Sequence, residues 1–286
     1  MKKRNICGGF ESMEGRRMLT TVALVGTELQ VEGDGGADTV IITPASGGNA
    51  RVRTDAGTVD VQAGTFDSIR VRTFGGADRV TVADFGVPVE IRGGSGSDYI
   101  SLYRSAGYGG GTEIHGGGGN DRILASNAAD LIFGGGGNDY IVGNGGADEI
   151  HGGGGADSIN GGDGNDLIYG DGGADRVNGG NGNDVIFGGN GADILSGYYG
   201  NDTIDGGAGA DLLKGDAGDD FLSGGAGVDT VMGGSGDDFL SGGPVDGSRD
   251  TLRGDSGADT FDILANPLED YLADYNPGAP EFDLLA

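Results

Sequence analysis

The chain has 286 residues, 67 of them glycine, and sets 45 acidic against 17 basic side chains for a formal charge of −28. Glycine at that level, with six prolines and no Gly-X-Y triplet, excludes both an average globular fold and collagen, leaving a low-complexity coil or a repeat solenoid. The acidity excludes nucleic acid and anionic membrane surfaces as partners, and no run of about 18 apolar residues is available to span a bilayer. Cys7 is the single cysteine, which rules out an internal disulfide framework and a four-cysteine zinc site.

The chain opens with Lys2, Lys3 and Arg4, but its first apolar run, Met18 to Val25, is short and broken by Thr20 and Thr21, so a standard cleavable signal is not evident. Phe10 to Leu19, FESMEGRRML, resembles the short Phe-Glu-x-x-Glu-x-Arg-x-Leu leaders of some large bacterial exported and surface proteins, so residues 1–18 are read as a leader-like segment. Residues 19–115 are expected to be β-rich and irregular, from alternating runs such as NARVRTDAGTVDVQ and SIRVRT. Gln30–Ile42, Arg70–Val82, Glu90–Leu102 and Glu113–Ala125 carry a loose Gly-Asp motif, with Asp38, Asp78, Asp98 and Asp121 separated by 40, 20 and 23 residues. Longer coils leading into a regular solenoid, and capping it, account for this region; an independent small β-sandwich is the alternative.

From Gly116 to Ser241 the chain repeats a nonapeptide 14 times without insertion or deletion. Position six is always aspartate: Asp121, Asp130, Asp139, Asp148, Asp157, Asp166, Asp175, Asp184, Asp193, Asp202, Asp211, Asp220, Asp229 and Asp238. Position eight is always Ile, Leu or Val, from Ile123 to Leu240, a register that a solvated disordered chain has no reason to keep. Positions one and four are glycine in 13 of the 14, the exception being ASNAADLIF, Ala125 to Phe133. Position five alternates between Asn or Asp and Ala or Val with one phase slip, between Ala147 and Ala156, a hint of an 18-residue coil with two inequivalent sides. Gly242–Arg253 holds a three-residue insertion, and Gly254–Asp262 restores the motif with Asp259. Residues 263–286 leave the repeat and read as a C-terminal cap or export tail.

The pattern G-G-x-G-x-D-x-U-x resembles the RTX, or haemolysin-type calcium-binding, family. The resemblance implies an all-β, right-handed parallel β-roll with two nonapeptides per coil over residues 116–262, preceded by the irregular β-rich cap. The residues support it physically. Position eight points into a thin aliphatic core, glycine supplies the tight turns, and coils stack at about 4.8 Å. Aspartates 18 apart then stand roughly 5 Å from one another, a repulsion on the order of 3 kcal/mol per pair at an effective dielectric near 20. A cation that takes six or so oxygens at about 2.3–2.6 Å, which describes Ca²⁺, converts that repulsion into coordination. Magnesium fits less well because it keeps its water, and zinc lacks nitrogen and sulfur ligands here. Two columns of seven aspartates leave six gaps each, so about 12 calcium ions are expected, their +24 offsetting most of the −28. Asp98 and Asp259 extend the candidate metal ligands beyond the regular repeat. ASNAADLIF lacks the turn glycines, so the site between Asp130 and Asp148 is expected to be the weakest or empty.

Catalytic signals are missing from this reading. His115 and His151 are 36 residues apart and read as outward position-nine residues. No H-E-x-x-H and no G-x-S-x-G occurs, which excludes the protease and lipase branches of the family. Tyr169 and Phe187, and Phe221 and Phe239, are 18 apart and should stack on the outside of the roll. The expectation is a secreted or cell-surface, non-enzymatic calcium-binding protein whose roll folds on extracellular calcium and serves a structural or adhesive role with a surface or matrix partner. The alternative is an accessory or secretion module for a separate catalytic partner such as a toxin, protease or lipase. Ice binding would want a regular Thr or Asn face, which position seven does not supply.

Overall fold

The computed structural model describes residues 4–5, 21–45, 49–55, 57–62, 66–83, 85–102, 111–244, 246–262, 271–272 and 284–285. Most of the leader-like segment and of the C-terminal tail, with Cys7, lies outside them. The described residues form strands and turns and no helix, in two compact units, Met1–Gly143 and Asn144–Ala286. Each unit is a parallel β-solenoid whose chain passes alternately through two sheets.

In the second unit one sheet runs through Glu149–Gly154, Leu167–Gly172, Val185–Asn190, Thr203–Ala208, Phe221–Ser223, Phe239–Ser241 and Thr260–Asp262. The other runs through Ser158–Asp163, Arg176–Asn181, Ile194–Tyr199, Leu212–Ala217, Thr230–Ser235 and Thr251–Ser256. Paired residues are 18 apart, as in Leu167 with Val185 and Val185 with Thr203, so two nonapeptides make one coil. Across the insertion the spacing becomes 21, Thr230 pairing with Thr251, and the extra residues leave the strand register intact. Position eight fills the space between the sheets: Ile159, Ile168, Val177, Ile186, Leu195, Ile204, Leu213, Leu222, Val231 and Leu240 are all 0–2% exposed. Each contributes about 1.5–3 kcal/mol by leaving water. Outside, Tyr169 stacks on Phe187 with ring centroids 5.1 Å apart, and Phe221 on Phe239 at 4.8 Å, as the 18-residue spacing requires.

The first unit is built on the same plan with longer coils. Val89–Ser95 pairs in parallel with Thr112–Gly118, and Arg79–Val82 with Tyr99–Leu102 and through it with Arg122–Leu124. At its start the chain doubles back: Thr21–Val25 pairs antiparallel with Glu28–Glu32, and Thr39–Pro44, Ala50–Thr54 and Gly57–Val61 form an antiparallel meander. Alternation sets which face is buried there, with Val40, Ile42 and Val52 fully inside and Arg53 exposed.

Candidate metal centre

Each strand of the repeat is entered through a position-six aspartate, and every one of these side chains is buried, Asp121 to Asp238 being 1–4% exposed. Their backbones and carboxylates form ladders along the coil edges. On one edge of the second unit the Asp157 N–H donates to Asp175 Oδ1 at 2.8 Å, Asp175 to Asp193 at 2.7 Å, Asp193 to Asp211 and Asp211 to Asp229 at 2.8 Å. The other edge runs Asp148, Asp166, Asp184, Asp202, Asp220, Asp238 and Asp259 with the same bond at 2.7–3.0 Å. In the first unit the ladder is Asp38, Asp78, Asp98, Asp121 and Asp139, at 2.6–2.8 Å.

One oxygen of each carboxylate is therefore committed to the neighbouring rung. The second oxygen, Oδ2, is buried and has no hydrogen-bond donor at Asp98, Asp121, Asp166, Asp175, Asp184, Asp193, Asp202, Asp211, Asp220, Asp229 and Asp238. A buried polar atom left so costs about 1–3 kcal/mol, and more when it is charged. Position-one glycine explains what these atoms face. A methyl carbon built on Gly170 would stand 2.5 Å from the Gly188 carbonyl oxygen and 2.7 Å from Asp175 Oδ2; on Gly188 it would stand 2.5 Å from the Gly206 carbonyl and 2.7 Å from Asp193 Oδ2. A carboxylate oxygen and a carbonyl oxygen from the next rung converge in the same way at Gly116, Gly152, Gly161, Gly206, Gly215, Gly224 and Gly233. Position-four glycine has a different reason: Gly173 sits at φ +143°, and a Cβ there would run into the Gly155 carbonyl.

No three His, Cys, Asp or Glu side chains converge on one point among the described residues, so a cation held here would draw on backbone carbonyls as well as the orphaned Oδ2 atoms. An all-oxygen, partly carbonyl donor set is the kind calcium accepts. The sequence-predicted residues Asp98 and Asp259 occupy ladder positions equivalent to the 14 of the repeat. Three further aspartates join them: Asp38 and Asp78, whose Gly-Gly-Ala-Asp spelling signals them, and Asp250, which accepts the Asp229 N–H at 2.8 Å and was hidden by the insertion.

Asp130 differs from the rest. Ser126 donates to its Oδ2 from both the backbone N–H, at 2.9 Å, and the hydroxyl, at 2.8 Å, while the Thr112 N–H occupies Oδ1 at 3.1 Å. The position-five asparagines build a second ladder with the opposite sense, Asn183 donating its N–H to Asn165 Oδ1 and Asn201 to Asn183 Oδ1, both at 2.9 Å. That ladder accounts for the two inequivalent sides. The histidines stand away from the aspartate ladders: His115 stacks on Phe133 beside Glu113, and His151 on Tyr169 beside Glu149.

Burial pushes the ladder carboxyls up, and neighbouring rungs add to it against the opposing pull of the backbone N–H bonds. Asp121, Asp175 and Asp220 are raised to about 7, and Asp166, Asp202, Asp211, Asp229 and Asp238 to about 6. A carboxyl that holds its proton more tightly when folded contributes stability that is complete below its unfolded value of about 4 and is lost as pH rises through 6 to 7. Chelated protein is therefore expected to gain β-structure when acidified from about pH 8 to pH 4.5. A far-UV circular dichroism signal that stays constant or loses β character on acidification would contradict this.

The chain matches the RTX calcium-binding nonapeptide repeat (four copies) in overlapping stretches that cover residues 107–240, and again over 246–262, more than half its length. No curated protein matches it.

Proposed function

Because the chain belongs to the RTX calcium-binding nonapeptide-repeat family, we propose that it is a calcium-folded structural protein of the cell exterior. Calcium binding and the parallel β-solenoid come with the family and the fold. The proposal adds the ligands, the place and the role. The ligands are the position-six aspartates Asp121 to Asp238 with Asp98 and Asp259, each lending Oδ2 except Asp130, where Ser126 already fills it, while glycine carbonyls supply further oxygens. About 12 ions are held in this reading, one per gap between rungs of the repeat. Residues 116–262 form the calcium-binding roll and residues 19–115 its irregular cap.

One observation carries the reading: at rung after rung a buried carboxylate oxygen with no donor meets a carbonyl oxygen at a position that only glycine leaves open. Such a stack is poorly stable without a cation, so binding free energy becomes folding free energy. A chain that unfolds where calcium is scarce and folds where it is abundant suits passage out of the cytosol. Among the described residues no helix is long and apolar enough to cross a membrane. The role proposed for the roll is that of a spacer or adhesive element, with no catalytic task assigned to it.

Washing the producing cells with a chelator tests this. The protein is expected to sit on the cell surface or in the matrix in millimolar calcium and to be released, protease-sensitive, by the wash. Confinement to the cytosol would overturn the external role.

A further inference from the structure

The two units close their strand entrances by different chemistry. In Asn144–Ala286 the residue before each repeat strand is a buried aspartate on both edges of the coil. In Met1–Gly143 one edge instead carries Leu29, Ile69, Val89 and Thr112 at that place in successive rungs. Leu29 lies opposite Ile69, Ile69 opposite Val89, and Val89 opposite Thr112. All four are 0–2% exposed. The alkyl groups of Leu29, Ile69 and Val89 attract through burial at this spacing, whereas carboxylates repel; Thr112, at the end of the run, buries a hydroxyl that has no hydrogen-bond partner.

Where this edge first meets an aspartate, Asp130, the Ser126 hydroxyl and N–H complete the carboxylate that is left with a bare Oδ2 at Asp166 or Asp175. At the start of the other edge the Asp34 N–H does the same for Asp38 Oδ2, at 2.9 Å. The orphaned carboxylate oxygens of Asp78, Asp98 and Asp121 stand on that other edge. Outside the sheet, Arg70 bridges Glu28 at 3.0 Å and Glu90 at 2.6 Å, and Arg92 bridges Glu90 at 2.6 Å. Antiparallel hairpins open the unit. The charge follows the same division, with 13 basic and 17 acidic residues in Met1–Gly143 against 4 and 28 in Asn144–Ala286.

We propose that the first unit holds its fold without a divalent cation, its Leu29–Ile69–Val89–Thr112 edge and the Ser126 plug on Asp130 replacing metal, while the second unit requires calcium. The contrast rests on the calcium reading for the second unit and adds a boundary to it: calcium switches part of the chain, and the other part persists as a folded body under chelation.

Hydrogen–deuterium exchange with mass spectrometry on the full chain, in chelator and in calcium, tests it. In chelator, amides of Glu28–Glu32, Ser68–Arg72 and Val89–Ser95 should stay protected by roughly a hundredfold or more, while those of Leu167–Gly172 and Val185–Asn190 exchange at the rate of an unstructured chain. Calcium should protect both sets. Loss of both sets in chelator would overturn the proposal and leave the calcium reading standing; protection of both sets in chelator would overturn the calcium reading as well. The Ser126→Gly variant isolates the plug. Leu131–Gly136 should lose protection in chelator and recover it in calcium, with Ser126→Thr behaving as wild type; unchanged protection in Ser126→Gly would remove Ser126 from the account.

Discussion

Gly170→Ala is expected to raise the calcium midpoint of folding several-fold and to destabilise the calcium-loaded roll, while Gly154→Ala leaves both close to wild type. Both glycines lie in the same turn family, and neither is in the left-handed region, so backbone strain does not separate them. Space does. An added methyl at Gly170 meets the Gly188 carbonyl at 2.5 Å and Asp175 Oδ2 at 2.7 Å, whereas nothing stands within 4 Å of the same carbon at Gly154. Overpacking of this kind costs about 1–3 kcal/mol by itself. Because the intruding group also displaces the two oxygens proposed to hold the cation, its effect should be larger in calcium than in chelator. Calcium titrations of the two variants side by side, followed by circular dichroism, read the difference. Equal midpoints for the two alanine variants would mean that the position-one turn is not where the cation is held.

Asp175→Asn should have effects of opposite sign with and without calcium. In chelator the variant removes a carboxyl that burial, and then its neighbours Asp157 and Asp193, raise to about 7, so at neutral pH part of a buried charge disappears. The amide oxygen can still accept the Asp157 N–H that Asp175 Oδ1 accepts at 2.8 Å. The chelated variant should therefore be slightly more stable than wild type, most visibly above pH 7, where the wild-type carboxyl is ionised. In calcium the order reverses, since the charged ligand is gone: the midpoint should rise and about two fewer ions should be bound, one from each adjoining gap. Asp175→Ala should share the loss in calcium without the gain in chelator, because the Asp157 N–H is then left unpaired as well. Acid titrations in chelator, which read the pH at which this unit gains β-structure, and calcium titrations at neutral pH decide the matter for the three proteins, and a shift of Asp175→Asn toward the unfolded state in both would count against a metal at this rung.

Much of this arrangement was legible in the sequence, because a strict period leaves little freedom. An aliphatic every nine residues fixes the core from Ile159 to Leu240, and the alternation at position five hints at the 18-residue coil that the family resemblance implies and that the pairing of Leu167 with Val185 shows. The bond from each aspartate N–H to the next rung's carboxylate was not legible. It joins residues a full coil apart through the backbone, and side-chain spacing carries no sign of it. It also changes the chemistry expected of the site, since each carboxylate has one oxygen rather than two to offer. Asp250 escaped because the insertion moved it to 21 residues from Asp229, although the strand that follows it keeps register. Leu29, Ile69 and Val89 escaped for a related reason: coils of unequal length hide the correspondence, and alkyl residues in a strand look like any other core. Ser126 could be seen only as a departure from glycine, while the structure gives it a positive task, the completion of Asp130.

The most direct test of calcium-driven folding is far-UV circular dichroism of the chelated full chain, titrated in parallel with calcium and with magnesium. The account predicts a partial β signal in chelator at neutral pH, a cooperative gain of β-structure as calcium is added, and no comparable gain with magnesium at the same concentrations. A complete β signal before any metal is added, or the same transition with magnesium, would contradict it.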